Sequence, residues 1–242
     1  MLNVARSHAL GAFARAGFQD LSGARTTLTL LSEMVDQPVA SLLSAFAHAA
    51  DPDTALTRLI AVAERHPEVV GQLDEELWLR LVVLVGASPA LGDFFLRQPG
   101  SLAHILRTGG RLIGGAEARS MLLEAVSAVG ETAPVARFVA EKGAAALRVR
   151  YRELLAEVML YDLRVGLDSG SAGAADSFDG VSRALSDLAA AALDAALAVA
   201  RGTLAAGAGG PAVGADRLAA TRLSVVAMGK CGANELNVVS DV

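Results

Sequence analysis

The chain has 242 residues, 53% hydrophobic but only 4% aromatic, with a formal charge of −5. Its 21 lysines and arginines form no basic run, which argues against a nucleic-acid-binding surface. The single cysteine, Cys231, excludes an internal disulfide and any metal site built on cysteine pairs, and it fits a reducing, cytoplasmic setting.

The apolar bulk is mostly Ala, Leu and Val, so a mostly α fold with a thin aliphatic core is expected. Residues 1–19 carry Arg6, His8 and Arg15 without an acid, and read as a surface helix rather than a transit peptide. Pro38 opens a stretch with Val39, Leu42, Leu43 and Phe46 at helical spacing. Asp51-Pro52 is a cap followed by proline at the first helical position. Leu56, Leu59, Ile60 and Ala63 then share a face, and Pro67 closes the stretch. Asp74, Glu75 and Glu76 place negative charge in the first turn of the next helix, where the macrodipole favours it. Trp78, at helical spacing among leucines and valines, is expected in the core. Ser88-Pro89 repeats the cap-and-proline start, and Pro99 breaks the helix that holds Phe94 and Phe95.

Pro134 opens the longest predicted helix, through Tyr151 to about Leu163, with a kink expected near Gly143. Gly166 to Asp176 is rich in Gly, Ser and Ala and reads as a linker. Ser177 to about Leu204 is helical again, with Val181, Leu185, Leu188, Ala192 and Ala196 in register. The expected organisation is a helical region over 1–165, a linker over 166–176, and a third part over 177–242. No charge-free apolar run is long enough to span a bilayer. The longest, Ala189 to Ala200, contains Asp194 and is flanked by Asp187 and Arg201. No membrane partner is expected.

Then the composition switches. Leu223 to Met228 is a short apolar, β-branched run that reads as a buried strand, the first in the chain. Gly229 and Gly232 follow as a loop, and Ser240 and Asp241 stand about ten residues further on, at the start of a second strand. Nucleotidyl transfer needs this kind of pattern. Glycine lets backbone N–H groups approach a phosphate closely. Carboxylates must hold the two metal ions that align the attacking and leaving oxygens. The Walker A pattern is unmet, because residue 225 is Val and Cys231 follows Lys230. The pattern G-x-G-x-x-G is also unmet. On spacing alone, a structural β-turn accounts for the glycines equally well.

The continuous string Ala227-Met228-Gly229-Lys230-Cys231-Gly232-Ala233-Asn234-Glu235-Leu236-Asn237-Val238-Val239-Ser240-Asp241-Val242 adds more. It resembles the signature G-M-G-K-x-G-x-x-E-L-N-x-x-S-D-[IV]-D of the bifunctional glutamine synthetase adenylyltransferase/adenylyl-removing family. The Gly-Lys-Cys-Gly variant is similar to actinobacterial members. Looser likenesses are Ala16-Gly17-Phe18, Phe94-Phe95-Leu96-Arg97-Gln98-Pro99, Arg152-Glu153-Leu154-Leu155 with Asp162-Leu163, and Leu185-Ser186-Asp187-Leu188-Ala189.

The resemblance implies a helical region followed by the first strands of a truncated nucleotidyltransferase-like α/β domain. It implies an enzyme with two homologous halves. One removes AMP from a glutamine synthetase tyrosine with inorganic phosphate and releases ADP; the other adds AMP from ATP. A PII-type signalling protein chooses between them. A signature this near a starting Met points to the adenylyl-removing half. Gly229, Lys230 and Gly232 would line the phosphate loop, Ser240 would support the nucleotide phosphate, and Asp241 would be the catalytic ligand of a Mg2+ pair. The family's second Asp would stand at position 243. One carboxylate is a poor magnesium seat, so the 242 residues alone are expected to be inactive.

Two other readings stand beside this one. Residues 1–205 would be a helical interaction module with an incidental terminal strand, or the chain would be an unrelated ATP-binding protein. Bland roles are assigned to several residues. Cys231 is a small loop filler, the four histidines show no ligand spacing, and Arg148, Arg150 and Arg152 form a solvated helix face. Glu235 and Asn237 are expected to hold the loop by hydrogen bonds. The terminal strand is expected to be exposed and less ordered than the helices.

Overall fold

A computed structural model describes residues 10–208 and 210–238, without the side chains of 170–174 and 176. The chain divides into two compact units, Met1–Gly110 with Leu163–Gly170, and Arg111–Asp162 with Ser171–Val242.

The first unit is built from the helices Leu21–Val35, Val39–Phe46, Pro52–Arg65, Pro67–Val70, Glu75–Ala87, Pro89–Arg97 and Pro99–Thr108. Local chemistry sets their starts. Asp51 Oδ1 accepts the Thr54 N–H at 2.9 Å, Asp74 Oδ1 accepts the Leu77 N–H at 2.8 Å, and Ser88 Oγ accepts the Leu91 N–H at 3.4 Å. Each bond satisfies one of the N–H groups that a helix start leaves unpaired. Proline sits at the first position of the helices beginning at residues 52, 67, 89 and 99. Pro67 therefore opens a short helix of its own as well as closing the previous one. Trp78, Leu28, Leu59, Phe94, Phe95 and Ile105 are fully buried between these helices. The last helix ends at Gly109, whose φ of +75° is left-handed. There Arg80 Nη1 donates to Leu106 O and Arg164 Nη1 donates to Gly109 O, each at 2.7 Å. Cations at a helix C-terminus complement its dipole.

The caps carry a pH signature. The Thr54 backbone N–H and hydroxyl hold the Asp51 carboxyl below its ordinary value of 3.8. Because the folded-state value is depressed, this stabilisation is present above 3.8 and is lost as pH falls through the lower folded value. Asp51→Ala is expected to cost about 1 kcal/mol at neutral pH, measured by urea unfolding. The difference from the parent should shrink as the pH is taken below the usual aspartate range.

The second unit contains the helix Gly115–Ala125, the antiparallel strands Ala128–Val129 and Val135–Ala136, a helical run over Ala140–Ala205, and short turns of helix at Ala215–Ala220 and Gly229–Gly232. The strands pair Ala128 with Ala136 and Val129 with Val135. A straight 66-residue helix would separate its ends by roughly 100 Å. Instead the Ala140 N–H donates to Thr203 Oγ1 at 3.0 Å, and a Cβ on Gly143 would stand 2.8 Å from Val199 Cγ1. The run doubles back as a helical hairpin, and both pairs are centred within one residue of Ser171. The linker expected over 166–176 is thus the place where the chain reverses, but its backbone is helical rather than a loop. Ala172, Ala174 and Ala175 supply helix propensity that offsets the neighbouring glycines and serines.

Two further expectations change. The long helix starts at Ala140, not Pro134, which stands just before the strand Val135–Ala136. A proline at that place removes no ladder hydrogen bond. Gly143 marks a close approach rather than a kink, since a Cβ there would stand 2.4 Å from Phe138 O. Ser177–Ala205, with a mean hydropathy of 1.5 over its most apolar stretch, is by length and composition able to cross a membrane although it is not free of charges. Its acids are diluted by alanines, and Val181, Leu185, Leu188 and Ala195 are buried against Leu154, Val158, Ile113 and Leu122.

The expected strand at Leu223–Met228 is not one. Residues 221–228 are irregular, and Leu223, Val225, Val226 and Met228 are 63%, 61%, 80% and 81% exposed. A strand is defined by a hydrogen-bonded neighbour, and no described segment supplies one here. The described fold is mostly α, and its only sheet is the two-stranded pair at 128–136.

Candidate functional site

The glycine segment that follows the exposed apolar run is an ordered turn with two different faces. Met228 is extended, with φ −123° and ψ 169°. Gly229 then takes φ +57°, a left-handed conformation that favours glycine. Gly229–Gly232 forms one turn of helix. It closes through Asn234, also left-handed at φ +60°, with the Glu235 N–H on Lys230 O at 2.8 Å and the Asn234 N–H on Cys231 O at 3.3 Å. This is the paired-bond ending in which the two residues past a helix return to its last turn. The bond at Glu235 is made by its backbone N–H, and its side chain is exposed.

The two glycines serve different ends. A Cβ on Gly229 would meet nothing within 4 Å, so the backbone there is open to an approaching group. A Cβ on Gly232 would stand 2.5 Å from Ala227 O, so that glycine permits the chain to fold over itself. Lys230 is exposed beside Gly229. On the opposite face, Leu236 is buried at 4% exposure, and half-buried Cys231 and Tyr151 pack against the same core cluster. Burial pushes the Tyr151 phenol up, and the neighbouring Cys231 thiol adds to that shift. An exposed lysine beside open glycine backbone, on a turn anchored from behind, is an arrangement able to receive an anionic group.

Of the residues singled out from sequence, Gly229, Lys230 and Gly232 lie together on this turn. Ser240 and Asp241 lie outside the described residues. Among the described residues no three His, Cys, Asp or Glu side chains gather as a metal-binding group. Arg148 pairs with Glu141 at 2.7 Å in solvent, as expected of a solvated face, whereas Arg150 pairs with Glu153 at 2.8 Å with both side chains partly buried, so that face is only in part solvated. Sequence reasoning missed the backing of the turn. Leu236 was visible within Glu-Leu-Asn, but nothing along the chain singles out Tyr151.

The second unit also holds a charge network. The Arg111 N–H donates to Glu157 O at 3.1 Å, its Nε lies 3.0 Å from Glu157 Oε2, and its two terminal nitrogens meet the Glu117 carboxylate at 3.0 and 2.8 Å. The Glu157 side chain is only 3% exposed. Glu117 stands in the first turn of Gly115–Ala125, and the hydrogen bond from Arg111 holds its carboxyl below the ordinary range.

The model of the glutamate-ammonia ligase adenylyltransferase family matches residues 78–242. This chain belongs to that family. The match covers the whole second unit, including the glycine turn, and begins inside the first unit at Trp78. Among curated relatives, the chain is 45% identical to the bifunctional glutamine synthetase adenylyltransferase/adenylyl-removing enzyme of Leifsonia xyli, over 96% of this chain and 22% of the relative. It is 36% identical to the protein of that name from Bifidobacterium longum, over 94% of this chain and 21% of the relative. The corresponding Streptomyces coelicolor protein is 33% identical, over 98% and 21%. The chain therefore spans about a fifth of the length of these family members. No solved structure matches it.

Proposed function

We propose that these residues belong to an adenylyl-transferring enzyme acting on glutamine synthetase, and that the glycine turn meets the phosphates of its nucleotide. The observation that carries this reading is the outward face of the turn, with left-handed Gly229 in open space and Lys230 exposed beside it. Backbone N–H groups and one ammonium there suit a phosphate. Lys230 acts as a point charge on a flexible stem, able to follow the phosphate without bidentate geometry. Ser240 supplies a hydroxyl to the same nucleotide. Asp241 supplies an oxygen ligand to Mg2+, which neutralises charge on the phosphates when bound.

Within this reading the chain contributes to the adenylyl-removing half. Inorganic phosphate attacks the phosphorus of the tyrosine-linked AMP. The bond from phosphorus to the tyrosine oxygen breaks, ADP leaves, and the tyrosine hydroxyl regains its proton. ATP serves the opposite reaction in the other half, a PII-type protein sets the balance, and the enzyme works in the cytoplasm. The relatives' shared name, a glutamine synthetase adenylyltransferase/adenylyl-removing enzyme, supports the choice of glutamine synthetase as substrate.

The test uses a longer protein carrying this segment, with adenylylated glutamine synthetase and phosphate, and follows ADP release. Asp241→Ala is expected to abolish release, and Lys230→Ala to raise the phosphate or nucleotide concentration needed. Full turnover in Asp241→Ala sinks the reading. The 242 residues alone are expected to release no ADP, because a magnesium pair needs more carboxylates than Asp241.

A further inference from the structure

The glycine turn has few anchors of its own. It is preceded by an irregular, exposed run over 221–228, and its own outward residues touch little. What ties it to the fold is its inner face. Leu236 is buried in the cluster that holds Leu154, Val158, Leu185 and Leu188, and Cys231 packs against that cluster from the middle of the turn. Tyr151, one turn before Leu154 on the first limb of the hairpin, packs there as well. The paired bonds from Asn234 and Glu235 make residues 230–235 a stiff unit, so fixing Cys231 and Leu236 also fixes Lys230. All of these groups belong to the second unit.

We propose that Tyr151, Cys231 and Leu236 form a seat that fixes the glycine turn on the helical hairpin, and that Tyr151 is a positioning residue for the anion contacts of Gly229 and Lys230. The ring of Tyr151 does this by bulk, through Cys231, and touches no ligand itself. A stiff turn held on one apolar seat keeps its N–H groups aimed outward without a reorganisation cost on binding. Removing the ring frees the turn to leave the hairpin, as a local opening distinct from unfolding. The proposal rests on the phosphate reading for the nature of the ligand; the seat itself does not.

Cys231 is the only cysteine in the chain, so its thiol reports the seat directly. The rate of its reaction with a disulfide reagent is measured in the 242-residue chain, with circular dichroism and Trp78 emission as checks on folding. Tyr151→Ala is expected to speed labelling by about tenfold or more, while Tyr151→Phe, which keeps the ring, stays near the parent rate. Leu236→Ala is expected to speed it too, and serves alone if Tyr151→Ala does not fold. Parent-like rates in the folded variants overturn the seat. ADP is then titrated without Mg2+ as a protecting ligand, since the anion contacts of Gly229 and Lys230 need no metal. It should slow labelling of the parent, and the half-protecting concentration should rise in Tyr151→Ala but not in Tyr151→Phe. An unchanged concentration in Tyr151→Ala overturns the positioning role. If ADP protects no form while Tyr151→Ala still exposes the thiol, the seat stands and the phosphate reading of the turn falls.

Discussion

Gly202→Ala is expected to lower stability by about 2 kcal/mol, although alanine is the better helix former. Gly202 lies near the end of the second limb of the hairpin, and a Cβ there would stand 2.2 Å from Ala136 O and 3.0 Å from Val139 Cγ1. The first of these is backbone, which cannot swing aside. Gly143, on the first limb, faces Phe138 O at 2.4 Å in the same way. Alanine in a helix interior gains about 1 kcal/mol over glycine, while overpacking against a fixed group costs up to about 3. The clash therefore wins, and both substitutions should destabilise. Gly166→Ala is the control, since a Cβ there meets nothing within 4 Å. It should raise stability by up to about 1 kcal/mol. Urea unfolding of the three variants decides the matter: stabilisation by Gly202→Ala would mean the hairpin does not press on the 136–139 segment.

Arg111→Ala is expected to cost about 2–3 kcal/mol, through loss of its ion pairs with the Glu117 and Glu157 carboxylates. Glu157 is buried, and Arg111 is the cation that its Oε2 faces at 3.0 Å. Taking the partner from a buried ion pair typically costs about 3–5 kcal/mol. The Arg111 side chain is 40% exposed, so solvent screens part of its charge and the lower figure applies. Arg111→Ala combined with Glu157→Leu should recover most of the loss, because the buried charge is then gone. A double variant as unstable as the single one would show that Arg111 acts by packing instead. The pH profile gives a second reading. Arg111 lowers the Glu117 carboxyl in the folded state, so its stabilisation is present above the ordinary value of 4.5 and is lost as pH falls through the lower folded value. Arg111→Ala should remove that part of the acid sensitivity.

Asp162 runs the other way. Burial raises its carboxyl, so its ionised form works against folding at neutral pH. Asp162→Asn keeps the shape and removes the charge, and its melting temperature should lie above the parent's. The gain should vanish in acid, where the parent carboxyl is already protonated.

Much of the fold is written in local signals. Asp51-Pro52, Asp74 and Ser88-Pro89 start helices because a side-chain oxygen and a proline act within four residues of themselves. Trp78 is buried where helical spacing placed it. The glycine positions of the turn were legible too, because left-handed Gly229 and the close approach at Gly232 favour a residue without a side chain. Where local signals failed, the deciding partner lay far along the chain. Leu223–Met228 has the composition of a strand, but composition supplies no neighbour to bond with.

The chain's own chemistry thus determines where helices begin, which faces are apolar, and where a glycine turn forms. Only the folded molecule decides that the glycine- and alanine-rich stretch near Ser171 reverses the chain, that Gly143 and Gly202 are contact points, and that Tyr151, Cys231 and Leu236 meet at one apolar cluster. The reason is range. Caps and glycine turns are settled by bonds between residues a few positions apart, whereas the hairpin brings together groups some 60 positions apart, such as Ala140 and Thr203. Their pairing is set by how the apolar faces of two limbs fit each other.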